Sequence, residues 1–229
     1  MSEQTLLLIG ASRGLGLALA REFIARGWRV VATERSPSAE LHGLAGQSAG
    51  RLEIETLDIV DESAIAALRQ RLAERRFDLL FVNAGVGNGM RDRIGDSSAA
   101  EFARVMTTNA FGPLRVVDAC FDLVAANGAI GVMSSGLGSV ANNTSGGWEV
   151  YRASKAALNT LARSYAARPE AQGRSFVVVA PGWVRTDMGG PNAPLSVDES
   201  IPRVADVLIG QLGKPGVRYL NYRGETLPW

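Results

Sequence analysis

The chain has 229 residues, and its 24 Lys and Arg against 23 Asp and Glu give a formal net charge of +1. This balance argues against a nucleic-acid-binding protein, which usually carries a basic excess. One Cys and one His exclude an internal disulfide and any cysteine-based or histidine-rich metal site, so we expect no metal. Because the chain also lacks a long apolar run and a signal-peptide pattern, we expect a cytoplasmic protein without a membrane partner.

Short apolar, β-prone runs alternate with helix-like segments along the whole chain. Most of these runs are apolar enough for strands that are covered on both faces. The alternation predicts one α/β domain over residues 1–229, a doubly wound parallel sheet of about seven strands with helices on both faces. The strands are predicted at Thr5–Ile9, Trp28–Thr33, Arg51–Thr56, Asp78–Val82, Ala129–Met133, Ser175–Val179 and Val217–Leu220, and the helices at Leu15–Arg26, Glu62–Arg75, about Ala99–Ala126, Glu149–Ala167 and Ile201–Gln211.

A glycine-rich segment with the spacing G-x-x-x-G-x-G follows the first predicted strand. Its glycines permit a tight turn and the close approach of a pyrophosphate, to which the next helix offers free N–H groups. The alternative is a glycine-rich turn without a ligand, since short glycine patterns recur by chance. The residues predicted to bind a dinucleotide are Gly10, Ser12, Arg13, Gly14, Leu15 and Gly16.

Opposite charges follow the second predicted strand, at Glu34 and Arg35. An acid at this place accepts hydrogen bonds from the free 2′-hydroxyl of NAD, while an Arg pairs with the 2′-phosphate of NADP. Arg13 in the glycine segment is a second cation for the same phosphate. Two cations against one acid favour NADP(H) and leave NAD(H) open. The alternative is that Glu34 and Arg35 are ordinary solvated charges.

Tyr151 and Lys155 stand four residues apart in a predicted helix, so their side chains share one helix face. A nearby cation stabilises a phenolate and lowers the tyrosine pKa towards the range of a general acid/base. Ser134 and Ser135 follow another predicted strand, where a hydroxyl can donate to a substrate carbonyl. The Tyr–Lys pair alone would be an ordinary helix-surface pair. Together with the glycine segment and the serines, it indicates a catalytic site.

These motifs resemble those of the short-chain dehydrogenase/reductase family from the first strand to the C-terminus. The resemblance includes four further motifs in the family's order, and the whole set is far more specific than any one of them. It implies a Rossmann-type fold and hydride transfer between a nicotinamide cofactor and a small-molecule carbonyl or alcohol. The further motifs are Leu57-Asp58-Ile59, Asn83-Ala84-Gly85, Asn109 and Pro181-Gly182-Trp-Val-Arg-Thr186.

The resemblance implies a role for each matched residue. Tyr151 would be the general acid/base, and Lys155 would lower its pKa and hold the nicotinamide ribose. Ser135 would polarise the carbonyl, and Asn109 would hold a water that links Lys155 to solvent. The cofactor motifs lie mainly in residues 1–110 and the catalytic elements in residues 111–229. The remaining cofactor contacts implied are Asp58 and Ile59 at the adenine, Asn83, Ala84 and Gly85 along the cofactor, and Pro181, Gly182, Val184 and Thr186 at the nicotinamide.

The loop between Ser135 and Tyr151 is longer than in many family members. This loop and the last residues, 222–229, are similar to the branch that contains C-factor and the sniffer-type carbonyl reductases. The longer loop leaves Ser134 and Ser139 as competitors for the role of catalytic serine. The branch also leaves a second function open, a dinucleotide-binding signalling protein with little turnover.

The substrate pocket is expected in three loops, where no single charged side chain identifies the substrate. Arg91 and Arg93 either meet an anionic substrate or are solvated, and Met188–Pro194 either closes over the site or is a plain connector. Trp148 and Trp183 either line the pocket or belong to the core. The three loops are residues 86–97, 136–148 and 187–198.

His42 and Cys120 match no motif. His42 is expected at the surface of a polar, weakly structured stretch, and its position disfavours a serine hydrolase, which would have to use it. Cys120 is expected to pack inside an apolar helix. The family commonly pairs through the helices of Asn109 and Tyr151, so a homodimer or homotetramer is expected.

Overall fold

The computed structural model describes residues 3–87 and 93–229. Its seven parallel strands form one sheet in the order β3-β2-β1-β4-β5-β6-β7, which confirms the predicted doubly wound fold. The strand order reverses between β1 and β4, the switch point beside which such sheets bind ligands. The strands are β1 Thr5–Ile9, β2 Arg29–Glu34, β3 Leu52–Thr56, β4 Phe77–Val82, β5 Val124–Met133, β6 Ser175–Ala180 and β7 Gly216–Asn221. The helices are α1 Gly14–Ala25, α2 Ala39–Gln47, α3 Glu62–Arg71, α4 Ala99–Met106, α5 Gly112–Cys120, α6 Glu149–Ala166 and α7 Val197–Ile209.

Helices cover both faces of the sheet, because successive residues of a strand point to opposite sides. In β1, Leu7 and Ile9 join one apolar cluster, Leu6 and Leu8 join the other, and all four are fully buried. Complete burial of one such side chain contributes about 1.5–3 kcal/mol. Helices α3, α5 and α6 pack against the first cluster, and α1, α2 and α7 pack against the second. No helix in the described residues is long and apolar enough to cross a membrane.

The helix predicted at about Ala99–Ala126 is wrong in its continuity and in its end. A π-helical turn, Thr107–Phe111, separates α4 from α5, and Val124 already begins β5. Pro113 near the start of α5 has no N–H to continue the regular helical hydrogen bonds across this turn. At the other end, Val124 pairs with Phe77 of β4, and this long-range pairing overrides the helical propensity of the local sequence.

Helix α2 corrects the expectation of a weakly structured stretch around His42. Ser38 caps this helix by accepting a hydrogen bond from the Leu41 backbone N at 3.3 Å, and Leu41 is fully buried. Two glycines, Gly43 and Gly46, lower the local helix propensity. The cap and the single buried leucine therefore form a helix that the composition does not reveal. His42 is exposed on this helix, while Cys120 is fully buried in α5 as expected.

Candidate active site

A cradle of glycines stands at the end of β1. Gly10 has a φ of +86°, and a Cβ on Gly16 would lie 2.1 Å from the Gly10 carbonyl oxygen. Asn83, after β4, donates from Nδ2 to that same oxygen at 2.7 Å. Arg13 is the N-cap residue of α1, and its side chain makes no capping hydrogen bond. N–H groups in the first turn of the helix are therefore left for a ligand. A backbone site of this kind fits a pyrophosphate, because both the space and the donors are provided by main chain.

The carboxylate of Glu34, at the end of β2, faces helix α2. Its Oε2 accepts a hydrogen bond from the Ser38 backbone N, and its Oε1 lies near His42 Nε2, each at 2.8 Å. Glu34 is only 4% exposed, whereas the neighbouring Arg35 is exposed. Arg13 is also exposed and pairs with Asp187 at 2.9 Å. Arg13 and Arg35 are therefore open to a ligand, whereas both carboxylate oxygens of Glu34 have partners within the protein.

The other predicted cofactor residues stand at the same edge of the sheet. Asp58 accepts a hydrogen bond from the Val60 backbone N at 3.1 Å, which fixes the turn after β3. Ile59 is buried behind that turn, against Gly112. Ala84 packs on Gly10, where an added Cβ would lie 2.8 Å from it.

Lys155 of α6 is a buried cation between the ends of β4 and β5. It is 3% exposed, and its Nζ donates to the Met133 carbonyl at 2.9 Å. A Cβ on Gly85 would lie 3.4 Å from this amine. Burial lowers the pKa of Lys155 to about 8. No carboxylate in the described part of the chain pairs with this amine, and a buried amine with a lowered pKa is typical of functional lysines.

Tyr151 stands one helical turn before Lys155, and the Lys155 amine lies 5.8 Å from the centre of its ring. Burial raises the pKa of Tyr151 to about 12, a hydrogen bond with Ser135 acts in the opposite direction, and Tyr219 adds to the rise. The lowering expected from Lys155 is not seen here. Its amine is drawn to Met133 instead of to the phenol oxygen, so burial dominates.

The three candidate serines have different partners. Ser134 donates to Asn159 Oδ1 at 2.7 Å, and Ser139 donates to the Trp229 carbonyl at 3.2 Å. Both are buried. Ser135, in contrast, has its hydroxyl at the Tyr151 phenol and accepts a bond from the Leu137 backbone N at 3.2 Å. The structure therefore brings Ser135 to the tyrosine and uses the other two serines to hold the loop after β5.

Asn109 lies in the π-helical turn between α4 and α5, and it is fully buried. Its Nδ2 donates to the Val86 carbonyl at 2.8 Å and to Ser154 Oγ at 3.0 Å. Its Oδ1 accepts from the Val86 backbone N at 2.7 Å. The side-chain amide thus joins the segment after β4 to α6, and π-helical turns frequently occur at functional sites.

The segment after β6 carries the predicted nicotinamide residues. Gly182 has a φ of +86°, and a Cβ there would lie 2.5 Å from Leu195 Cδ1. Val184 pairs with Leu195 as an isolated bridge, and Thr186 Oγ1 accepts from the Gly189 backbone N at 3.1 Å. Ser200 of α7 donates to the Pro181 carbonyl at 2.7 Å. Both ends of this segment are therefore held by hydrogen bonds.

Large apolar side chains are exposed on two of the loops expected to form the pocket and on the segment after β6. Ile94, Trp183 and Met188 are all exposed, and a Cβ on Gly87 would lie 3.3 Å from Met188 Cγ. Trp148 has a left-handed backbone, with φ +53°, and its ring centre lies 6.2 Å from that of Tyr151. Arg93 is exposed. Arg91 lies outside the described residues.

Sequence reasoning missed a buried brace behind Ser135. The Tyr219 hydroxyl of β7 donates to the Ser135 carbonyl, and Asn159 donates to the Gly138 carbonyl at 3.1 Å. The Trp229 ring packs on Tyr219 with ring centres 5.3 Å apart. Asn159 follows Lys155 by four residues, so helical spacing was a signal for it. Nothing local marks Tyr219, because its contact with Ser135 is made across 84 residues.

Comparison with known proteins gives the family. A family model described as short chain dehydrogenase matches residues 4–194. The chain belongs to the short-chain dehydrogenase family. In this family member, no group of three or more His, Cys, Asp or Glu side chains in the described residues is placed to hold a metal ion.

Three known proteins are similar to this chain in sequence, and two of them have solved structures. The C-signal protein of Myxococcus xanthus is 40% identical over 154 residues, which are 66% of this short-chain dehydrogenase and 92% of that protein. A Burkholderia multivorans structure with bound NADP is 52% identical, with a TM-score of 0.97 and full coverage of both chains. A carbonyl reductase from Pseudomonas aeruginosa PAO1, in complex with NADP, is 39% identical with a TM-score of 0.92, again over 100% of both chains.

Proposed function

We propose that this short-chain dehydrogenase reduces a small-molecule carbonyl to an alcohol with NADPH, or catalyses the reverse reaction. The observation that carries the proposal is the meeting of Ser135, Tyr151 and Lys155 beside the glycine cradle. Catalysis then needs no metal and no histidine, which agrees with the composition. The similarity to a carbonyl reductase that binds NADP supports the same reaction class.

We propose that residues along the ligand-binding edge of the sheet contact the whole length of the cofactor. We assign the pyrophosphate to the Gly10–Gly16 backbone and the α1 N-terminus, because the first turn of α1 has no side-chain cap and a Cβ on Gly14 would meet nothing within 4 Å. Arg13 and Arg35 would hold the 2′-phosphate, so we favour NADP(H) over NAD(H). When bound, the nicotinamide would supply the hydride. The other contacts are assigned to Ser12, Leu15, Asp58, Ile59, Asn83, Ala84, Gly85, Pro181, Gly182, Val184 and Thr186.

Tyr151 is proposed as the proton donor to the carbonyl oxygen. Because its pKa is about 12, the phenol keeps its proton at neutral pH and can give it up as negative charge develops on the substrate oxygen. Ser135 would donate a hydrogen bond to the same oxygen. General acid catalysis by one positioned side chain typically contributes a factor of about 10²–10⁴.

Lys155 and Asn109 are proposed to return the proton to Tyr151. The Lys155 ammonium has three N–H donors, and one of them is used by the Met133 carbonyl. The others would hold the nicotinamide ribose and connect to a water. We place that water at Asn109, whose side-chain amide is held in position by hydrogen bonds to Val86 and Ser154.

The exposed side chains also support proposals on the substrate, the assembly and the location. Ile94, Trp183 and Met188 favour an uncharged, apolar carbonyl compound. Phe111 and Leu161, exposed near α5 and on α6, favour a homodimer or homotetramer formed through these helices. A single buried thiol fits a cytoplasmic, reducing setting.

The test is NADPH oxidation over a broad panel of aldehydes and ketones. We expect turnover with apolar members of the panel and a loss of about 10²–10⁴-fold in kcat for Tyr151→Phe, with NADPH binding retained. Tyr165→Phe is the matched control, because it removes a buried phenol at the C-terminal end of α6, whereas Tyr151 lies near the start of that helix. Full turnover by Tyr151→Phe would contradict the proposal.

The similarity to C-signal favours a second candidate, a dinucleotide-binding signalling protein with little turnover. In that case the cofactor would set an interaction surface instead of supplying a hydride. Calorimetry separates the two functions, because only the second predicts tight NADPH binding with no oxidation by any member of the panel.

A further inference from the structure

Glu34 is a buried acid at the strand end where the cofactor's adenosine ribose would lie. A free carboxylate there would accept a hydrogen bond from a 2′-hydroxyl and repel a 2′-phosphate. Glu34 is nevertheless only 4% exposed, and it directly precedes the exposed Arg35. The direction of the Glu34 carboxylate therefore decides whether the end of β2 presents a negative or a positive charge to the cofactor.

Helix α2 occupies both oxygens of Glu34. The Ser38 backbone N donates to Oε2 at 2.8 Å. His42 Nε2 lies 2.8 Å from Oε1 and is the donor in this contact, because an ionised carboxylate can only accept. Ser38 and His42 stand one helical turn apart at the N-terminal end of α2, where the helix dipole also favours a negative charge.

The same helix end is tied to the glycine cradle. Ser38 Oγ donates to the Ser12 carbonyl at 2.6 Å and accepts from the Leu41 backbone N at 3.3 Å. The segment that holds Glu34 is thereby fixed to the loop that carries Arg13. Among the described residues, the ion-pair partner of Arg13 is Asp187, and an exposed pair of this kind contributes little free energy.

We propose that His42 and Ser38 determine cofactor preference by holding the Glu34 carboxylate away from the ribose. Arg13 and Arg35 then face the ligand without competition from Glu34. The end of β2, which carries the acid typical of NAD binding, would therefore accept NADP instead. The proposal rests on the NADP(H) assignment above. His42 is a specificity-determining residue in this account and takes no part in the chemistry.

The test is the ratio of the dissociation constants of NADH and NADPH, measured by fluorescence titration of the full chain without substrate. We expect His42→Ala to lower this ratio about tenfold, the effect of one released charge beside a phosphate. NADPH should bind more weakly and NADH more tightly. His42→Gln keeps an N–H donor and should retain the wild-type ratio. Gln47→Ala, on the exposed end of α2, is the control and should change nothing.

A second variant shows whether Glu34 carries the effect. In the His42→Ala background, Glu34→Gln should restore NADPH binding to within about twofold of wild type, because the released charge is gone. A double variant as weak as His42→Ala, or an unchanged ratio in a folded His42→Ala, would overturn the proposal. Wild-type protein that prefers NADH would instead overturn the NADP(H) assignment itself, so the two failures are distinguishable.

Discussion

The cofactor side and the catalytic side of the candidate site each contain one buried charged residue, and the two residues differ in their partners. On the cofactor side, Glu34 has a donor at each carboxylate oxygen, and the rest of that side is built from backbone and glycines. On the catalytic side, Lys155 is equally buried but has the Met133 carbonyl as its partner and no ion pair among the described residues. Hydrogen-bond donors offset the desolvation cost of the buried carboxylate, whereas a buried charge without an ion-pair partner is held at a cost and is available for chemistry.

Lys155→Met has the largest expected effect, because it removes the buried charge from the catalytic side. We expect carbonyl reduction to fall by about 10²–10⁴-fold, because the proton relay and the ribose contact are lost. The free energy of unfolding at pH 7 should rise by on the order of 1–3 kcal/mol, since a buried unpaired charge is removed. Turnover assays and chemical denaturation measure the two effects.

The stability of the wild type should carry the matching pH dependence. The pKa of Lys155 is about 8 in the folded chain against 10.5 ordinarily, so the full penalty is present below about pH 8. Between about pH 8 and 10.5 the folded state releases the proton first, and the free energy of unfolding should rise with pH relative to Lys155→Met. A variant less stable than the wild type at pH 7 would contradict the account of Lys155.

On the cofactor side, Gly16→Ala should weaken NADPH binding about 100-fold, because the new Cβ would lie 2.1 Å from the Gly10 oxygen and push the cradle apart. Gly46→Ala, on the exposed side of α2, is the matched control, because its Cβ would meet nothing within 4 Å. Calorimetric titration compares the two, and equal losses of affinity would argue against a backbone-built site.

On the catalytic side, Tyr219→Phe tests whether buried side chains position Ser135. Loss of the hydroxyl that holds the Ser135 carbonyl should lower kcat about three- to tenfold and cost about 1 kcal/mol of stability. NADPH affinity should not change. Tyr165→Phe controls for the loss of a phenol elsewhere, and a kcat equal in the two variants would show that the brace is structural alone.

Asp187→Asn has the smallest expected effect. It removes the charge that pairs with Arg13, in a contact that joins the cofactor side to the catalytic side. Its pair with Arg13 is exposed, so the free energy of unfolding should change by less than about 0.5 kcal/mol. NADPH should bind about two- to threefold more tightly, since Arg13 is released for the 2′-phosphate. Asp118→Asn, in another exposed pair with Arg168, is the control. Weaker binding would show that Asp187 holds Arg13 in place.

The fold could be predicted from the sequence because each buried strand is an apolar run of its own, and all seven predicted strands are present. Helix α2 was missed because one cap and one buried leucine hold it among glycines. The start of β5 was missed because its pairing with β4 is remote in sequence.

The residues of the candidate site could be located because they follow strand ends or share a helix face. Their orientation could not. The direction of the Glu34 carboxylate depends on a helix that was not expected, and Ser135 depends on Tyr219, which lies in the last strand. Local spacing thus predicts which residues meet, while long-range packing decides which of their atoms are free.

The most direct test of the central claim is the fate of a labelled hydride. Wild-type protein would be incubated with NADPH deuterated at the transferable position and an apolar ketone accepted in the panel, and the product analysed by mass spectrometry. The account predicts one deuterium on the carbinol carbon, and no labelled alcohol above background with Tyr151→Phe at equal cofactor occupancy. Bound cofactor with no labelled product from any carbonyl would contradict it.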